Sequence, residues 1–347
     1  MKTIKSRAYK DRLKGHKDTI LVLYAPDGPD GHLLVSGSAD GVIRTWDLKG
    51  RTVKDKRQLE RPSGKQDITT YKFMGSSLFA GYTDGEIVSY SLEDPKLISI
   101  YKGHTSTITS LKLTKKLVSA SQDSTIRIWS ISTQECEVIY QFADPISDLV
   151  VKEFEIIAGS WDRMLRIVDL RENTIKDTLI ASEQPIKCME SENNIIFVGG
   201  CEMVIRAWDI ENSQGKEFKG HKSWVLGLKV YGDYLYSYSD DRTIKVWDKG
   251  TGRCLEEFVG HDDGVTCIEF ADGMLYSGSY DHSIRSWDLQ EMFKRISERS
   301  MMIREDIETR RIETYTRLMS KKGKKGKKGK GKGKGGKKSP KKGGKKK

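Results

Sequence analysis

A closed, all-β ring of seven four-stranded blades is the fold this sequence predicts, and three observations carry it. Along the 347 residues a turn acid recurs at steps of 44, 39, 39, 40, 39 and 40: Asp40, Asp84, Asp123, Asp162, Glu202, Asp241 and Asp281. Six residues after each stands a bulky strand residue: Trp46, Tyr90, Trp129, Val168, Trp208, Trp247 and Trp287. Some units open on Gly-His and close on Trp-Asp, and a period near forty with that punctuation marks a four-stranded propeller blade.

Each unit shows two β-rich runs around a turn, as in Leu33 to Ser36, the turn Ser38-Ala39-Asp40-Gly41, and Val42 to Trp46. Alternating apolar residues at fixed offsets, such as Leu275-Tyr276-Ser277 and Ile284-Arg285-Ser286-Trp287, give each strand one face to bury between stacked sheets. No unit buries that surface alone, so neighbours must stack. On these motifs the chain resembles the WD-repeat β-propeller family over about 280 residues.

Four units carry a full set of polar positions: His16, Ser36, Asp40, Trp46; His104, Ser119, Asp123, Trp129; His221, Ser237, Asp241, Trp247; and His261, Ser277, Asp281, Trp287. The resemblance implies that these form a buried hydrogen-bond chain from indole through hydroxyl and imidazole to carboxylate, stable only when every member is satisfied. Where the histidine is missing the serine position is apolar too (Ala80, Ala158, Val198), so the members are lost together. Ser, His and Asp also compose a hydrolytic triad, but geometry defines a triad, and four equivalent copies in a repeat point to architecture. No catalytic residue is therefore assigned. His32 and His282, the two remaining histidines, stand beside turns and are expected in solvent.

After Trp287-Asp288 the last unit should supply an outer strand, yet Leu289 to Ile296 has helical spacing. The missing strand lies at the other end, where Lys5 to Leu13 precedes Gly15-His16 just as Arg253 to Phe258 precedes Gly260-His261. The family resemblance implies that this N-terminal segment completes the last blade and leaves no sheet edge exposed. The chain thus divides into a propeller over 1–288, a charged amphipathic helix over 289–319 and a polybasic tail over 320–347. Glu291 with Arg295, Asp306 with Arg310 and Glu313 with Arg317 are i, i+4 pairs on the helix. Its apolar stripe, Phe293, Ile296, Ile303 and Ile307, is thin and suits either the propeller rim or a partner.

The net charge of +12 is unevenly placed. Lys321, Lys322, Lys324, Lys325, Lys327, Lys328, Lys330, Lys332, Lys334, Lys337, Lys338, Lys341, Lys342, Lys345, Lys346 and Lys347 fill a tail that holds no acid. Removing these sixteen from 61 basic residues leaves 45 against 49 acidic, a net of −4 for everything else. Lacking apolar residues, the tail is expected to be disordered when unbound and to bind polyanions electrostatically, without base stacking or membrane insertion. RNA or DNA phosphates, anionic lipid and acidic protein tails all fit that chemistry. Ser339-Pro340-Lys341-Lys342 resembles minor-groove-binding elements of linker-histone tails, which tips the choice toward nucleic acid, and Ser339 is the candidate phosphosite.

Cys136, Cys188, Cys201, Cys254 and Cys267 show no CxxC pairing, an odd number expected as reduced thiols in an intracellular protein, cytoplasmic or nuclear. Met1-Lys2-Thr3-Ile4 opens no signal peptide, and no apolar run approaches a membrane span. No phosphate-binding loop, clustered metal ligands or activated nucleophile stands outside the repeat, so no cofactor or metal is assigned.

Departures from the repeat at exposed offsets are the functional candidates. Trp161 and Trp224 lie outside the blade register, and the resemblance implies that both offsets face the partner-binding end of the ring. The same offsets in other blades add Leu21, Lys187, Leu226, Asp240 and Tyr280, with the larger apolar and aromatic side chains gathered on blades six, seven and one. A non-enzymatic protein-interaction scaffold with a polyanion-binding tail is the leading expectation, and a ribonucleoprotein-associated factor the alternative. Val168-Asp169-Leu170-Arg171 resembles the Trp-Asp-x-Arg box of cullin ubiquitin-ligase substrate receptors, with Val168 in place of the tryptophan.

Overall fold

The structure is a computed structural model that describes residues 4–6, 10–26, 28, 31–50, 52–59, 67–92, 97–211, 214–302 and 310. The tail with Ser339 and the helix beyond 302, residue 310 excepted, lie outside the described residues. Two compact units divide the chain, 1–292 and 293–347.

The first unit holds seven antiparallel sheets, each a blade. Their innermost strands are Ile20–Tyr24, Ile68–Met74, Ile108–Leu113, Ile146–Val151, Ile186–Glu192, Val225–Tyr231 and Val265–Ala271. Each begins with an apolar residue that is almost wholly buried against its neighbours. In all seven the register with the second strand slips after that first residue, as between Ile20 and Val22 or Val225 and Gly227. A bulge bends the strand and re-aims the extra side chain. Leu21, Thr69, Thr109, Ser147, Lys187, Leu226 and Thr266 are the seven residues so placed.

The ring closes as the sequence predicts, with one difference. Asp11–Lys14 pairs antiparallel with Ser283–Asp288 and completes blade seven. Ile4–Ser6, however, pairs parallel with Cys254–Val259 and gives blade six a fifth strand. Ile4–Ser6 thus runs with the outer strand of blade six, while Asp11–Lys14 serves as the outer strand of blade seven. Blades seven and one share a core of Ile20, Leu23, Leu34, Trp46, Cys267, Tyr276 and Ile284. Gly278 lets them approach, because a Cβ there would sit 2.5 Å from Ile20 Cγ2.

A helix over 289–302 begins where the outer strand would have been. Asp288 ends the last strand and caps the helix, its Oδ1 accepting the Glu291 N–H at 3.0 Å. Leu289 and Met292 are buried within the first unit.

Candidate partner-binding face

The polar residues repeated in four units are structural. In blade three Trp129 Nε1–H donates to Ser119 Oγ at 2.8 Å, Ser119 lies 2.7 Å from His104 Nε2, and His104 Nδ1 lies 2.8 Å from Asp123 Oδ2. A carboxylate only accepts, so Nδ1 carries the proton and Nε2 accepts from the serine. Blade six repeats the chain through Trp247, Ser237, His221 and Asp241, and blade seven through Trp287, Ser277, His261 and Asp281. Burial pushes the three imidazoles below the usual histidine range despite the facing carboxylates, which keeps them neutral at pH 7. Burial alone would push the aspartates up, and hydrogen bonds from histidine, hydroxyl and backbone N–H outweigh it and hold them well below the carboxylate range. These groups are locked to one another, and no serine is presented to a substrate.

Two further positions belong to the chain and recur at fixed offsets. Thr125, Thr243 and Ser283, two residues after the acid, donate to its second oxygen at 2.7, 2.6 and 2.6 Å. Ser38, Ser121, Ser160, Ser239 and Ser279, two residues before it, tie the turn to the loop entering the same blade. Both sets were visible in the sequence as hydroxyl residues repeated at constant distance from the acid. His32 is not simply solvated: its Nδ1 lies 3.1 Å from Asp272 Oδ1, linking blades one and seven.

The inner strands all start at one end of the ring, and six of the seven bulge residues, all but Leu21, line an axial channel of about 490 Å³. Thr69 and Thr109 use their hydroxyls to reach the first inner-strand carbonyl of the next blade, Ile108 at 2.5 Å and Ile146 at 2.6 Å, and Thr266 reaches Ile20. Leu21 turns sideways, half-buried against the core shared by blades one and two. Lys187 and Leu226 remain at the mouth with Trp161. Trp161 and Trp224 are each 48% exposed and Tyr280 39%. Lys187 Nζ stands 5.1 Å from the Trp224 ring centroid, a cation–π contact between blades five and six. Asp240 accepts from Ser223 Oγ at 2.9 Å, and its N–H donates to the Trp224 carbonyl at 3.0 Å. Tyr280 lies over Gly264, where a Cβ would come within 3.0 Å of the ring and 3.1 Å of Asp240 Cα. Trp161, Lys187, Trp224, Asp240 and Tyr280 thus form an arc over blades four to seven. Further along the inner strands Lys229 pairs with Glu269 at 2.6 Å, and Lys112 and Asp148, which both line the channel, approach to 3.5 Å.

The family model for the WD domain, G-beta repeat, matches residues 8–47, 95–130, 212–248 and 252–288. Each match runs from an outer strand through the three inner strands of the next blade, and the blades so covered are one, three, six and seven, the four with the polar chain. The chain belongs to the WD-repeat β-propeller family. Among curated relatives of this WD-repeat chain, nuclear distribution protein nudF of Aspergillus niger is 27% identical over 257 residues, 63% of this chain and 57% of the relative. Ribosome biogenesis protein YTM1 of Vanderwaltozyma polyspora is 28% identical over 247 residues, 66% of this chain and 46% of the relative. The chain spans about half the length of these relatives.

The remaining candidates of the WD-repeat ring have internal duties. Asp169 is buried and accepts from the Arg171 guanidinium at 2.9 Å, while Arg171 stacks 5.2 Å over Phe154. All five cysteines are free, and burial pushes the Cys188 thiol far up and that of Cys267 to about 12. Among the described residues no group of three or more His, Cys, Asp or Glu could hold a metal, and no helix is long and apolar enough to cross a membrane.

Proposed function

We propose that this protein is a non-enzymatic interaction scaffold whose channel-mouth face captures a protein partner, while residues 321–347 tether it to a polyanion. The observation that carries the reading is the arc of three exposed aromatics, Trp161, Trp224 and Tyr280, with Lys187 held against one of them. Aromatic anchors on a rigid frame are the usual hot spots of interfaces, because a large apolar area is presented at little cost in side-chain entropy. An intracellular setting, cytoplasmic or nuclear, belongs to this reading, and the free cysteines accord with it.

A second reading, a ribonucleoprotein-associated factor, is favoured by the ribosome biogenesis relative and by sixteen lysines available to phosphates. If about six engage at once, log K against log salt should fall with a slope of about −4 to −5. Affinity purification of full-length protein, of Trp224→Ala/Tyr280→Ala and of a chain lacking 321–347, each with and without nuclease, separates the two. The scaffold reading expects nuclease-resistant partners that survive tail deletion and vanish with the double substitution. Partners that depend only on the tail and are released by nuclease would overturn it in favour of the second.

A further inference from the structure

The inner strands run away from the channel mouth, and at their far ends the blade interfaces are not alike. Between blades one and two Tyr24 stacks on Phe73 with ring centroids 4.7 Å apart, and between blades six and seven Tyr231 stacks on Phe270 at 4.0 Å. Thr114 and Val151 hold the register positions of Tyr231 and Phe270 at the interface of blades three and four. With no aromatic plug, a cleft of about 540 Å³ opens there, walled by Val118, Ile128, Tyr140, Val151, Phe154 and Leu170. That volume and lining suit a bulky apolar group. Phe154 is 45% exposed at its entrance.

A second pit of about 490 Å³, beside Met74 and Ile131, shares Thr114, Lys115 and Lys116 with the first. The hairpin tip bearing the two lysines therefore stands between two apolar depressions. Lys116 pairs with Glu137, and Lys152 donates to the Asn193 carbonyl at 2.9 Å with Glu153 beside it on the rim. Lys115 has no ion-pair or hydrogen-bond partner among the described residues. Basic groups thus exceed acidic ones at the ridge that separates the pits.

We propose that this far-end surface binds an extended acidic peptide carrying two large apolar side chains, one in the cleft between blades three and four and one beside Met74 and Ile131, with its carboxylates across Lys115 and Lys116. The site lies at the opposite end of the ring from the aromatic arc, and each stands or falls separately. Two pits on either side of a basic ridge select a chain rather than a compact ligand, since one small molecule fills one pit and leaves the ridge unmet.

The test pans short random peptides on the full chain carrying Trp161→Ala, Trp224→Ala and Tyr280→Ala, so that the channel-mouth arc contributes nothing. The expected selection pairs Leu, Phe or Trp with Asp or Glu. The strongest peptide, fluorescein-labelled, should lose ~10-fold or more in affinity on Thr114→Tyr/Val151→Phe, which installs the plug of blades six and seven, and similarly on Lys115→Glu/Lys116→Glu. The second pair sits on an exposed hairpin tip, so its circular dichroism spectrum should match the parent's even if the plug variant folds poorly. The lysine tail is common to every variant and cannot produce these differences. Selected peptides without the acidic and apolar pattern, or an acidic peptide that binds the charge-reversed chain as tightly as the parent, would overturn the proposal.

Discussion

Blades three, six and seven bury the same polar chain atom for atom, whereas blades two, four and five have each replaced it differently. In blade two the Tyr82 and Tyr90 hydroxyls meet at 2.7 Å. In blades four and five the arginine four residues after the acid takes the histidine's place on the carboxylate, Arg166 on Asp162 and Arg206 on Glu202, whereas the equivalent Arg285 of blade seven stands 3.5 Å from Asp281 beside the histidine; in blade five Trp208 sends its N–H to the Ala181 carbonyl at 2.9 Å. What survives in nearly all is the turn: Val42, Glu86, Thr125, Met164, Thr243 and Ser283 each donate their N–H to the acid two residues before, at 2.9 to 3.2 Å. The acid is kept for the backbone, which it meets in this way in every blade but the fifth. Histidine and serine are one of several ways to satisfy its other oxygen and the buried indole.

The largest test of this contrast removes residues 1–14. Blade seven has a complete polar chain but borrows its outer strand, through Asp11 N–H to Ser286 Oγ at 3.0 Å and Arg12 to Asp262 at 3.3 Å. If local networks held blades independently, the truncated ring would melt as before. Instead its cooperative thermal transition should broaden and fall by ~10 °C or more, because the loss exposes the edge of blade seven and opens the ring. An unchanged melt would refute the closure.

Acid should act next. His104, His221 and His261 are held below the usual histidine range when folded, so between that depressed value and about 6.5 the unfolded chain binds protons the folded chain refuses. Their contribution is therefore complete above about pH 6.5 and falls as pH drops, by up to ~1.4 kcal/mol per pH unit for each. The lowered aspartates add a second loss in the same direction, starting only below about pH 4. Urea midpoints should already decline between pH 7 and 5.5, and His221→Gln should flatten that slope. A midpoint constant down to pH 5 would contradict neutral burial.

Blade one tests the chain from within, because it is nearly complete. His16 Nε2 reaches Ser36 Oγ at 2.7 Å and Trp46 donates to the same oxygen at 2.8 Å, but His16 Nδ1 stops 3.6 Å from Asp40 Oδ2. At that distance there is no hydrogen bond. Asp241→Ala strands a buried imidazole N–H and should cost about 3 kcal/mol, whereas Asp40→Ala, which breaks the turn but no such bond, should cost about 1 kcal/mol. Equal losses in chemical denaturation would mean that the histidine contact adds nothing.

Much of this was legible in the sequence, and the exceptions have physical causes. The acid-to-indole spacing set seven blades in register, and the helical spacing after Asp288 gave away the borrowed strand. Ile4–Ser6 is not separable by pattern from the closing strand, because three residues carry no alternation to say which edge they join. Offset marks Lys187 and Trp224 separately, yet their contact crosses two blades and no local pattern encodes it. Leu21 shares its offset with Lys187 and Leu226, but sequence offset does not tell whether a bulge side chain faces the mouth or a neighbouring core. The far-end cleft is not legible for a related reason: it arises from what Thr114 and Val151 fail to fill, and a void leaves no motif.

The smallest test is Val42→Thr. In blades three, six and seven a hydroxyl at this position donates to the acid, and Thr125 also lies 3.0 Å from His104 Nδ1. Blade one has Val42, buried, with only its N–H on Asp40 Oδ1 at 2.9 Å. The turn is otherwise equivalent, since the N–H after the histidine meets the acid in both cases, Lys17 at 2.9 Å and Thr105 at 3.0 Å. Threonine keeps the branched shape and β preference of valine, so the substitution changes one methyl into one hydroxyl. A buried hydroxyl left unbonded costs about 1–3 kcal/mol, while one that finds the carboxylate contributes about 0.5–1.5 kcal/mol. The sign of the effect therefore reports the bond. We expect a gain of about 0.5 kcal/mol in urea denaturation, with the His16 imidazole drawn onto Asp40. A loss of about 1 kcal/mol or more would place the cause of the 3.6 Å gap in the entering loop rather than in the missing hydroxyl.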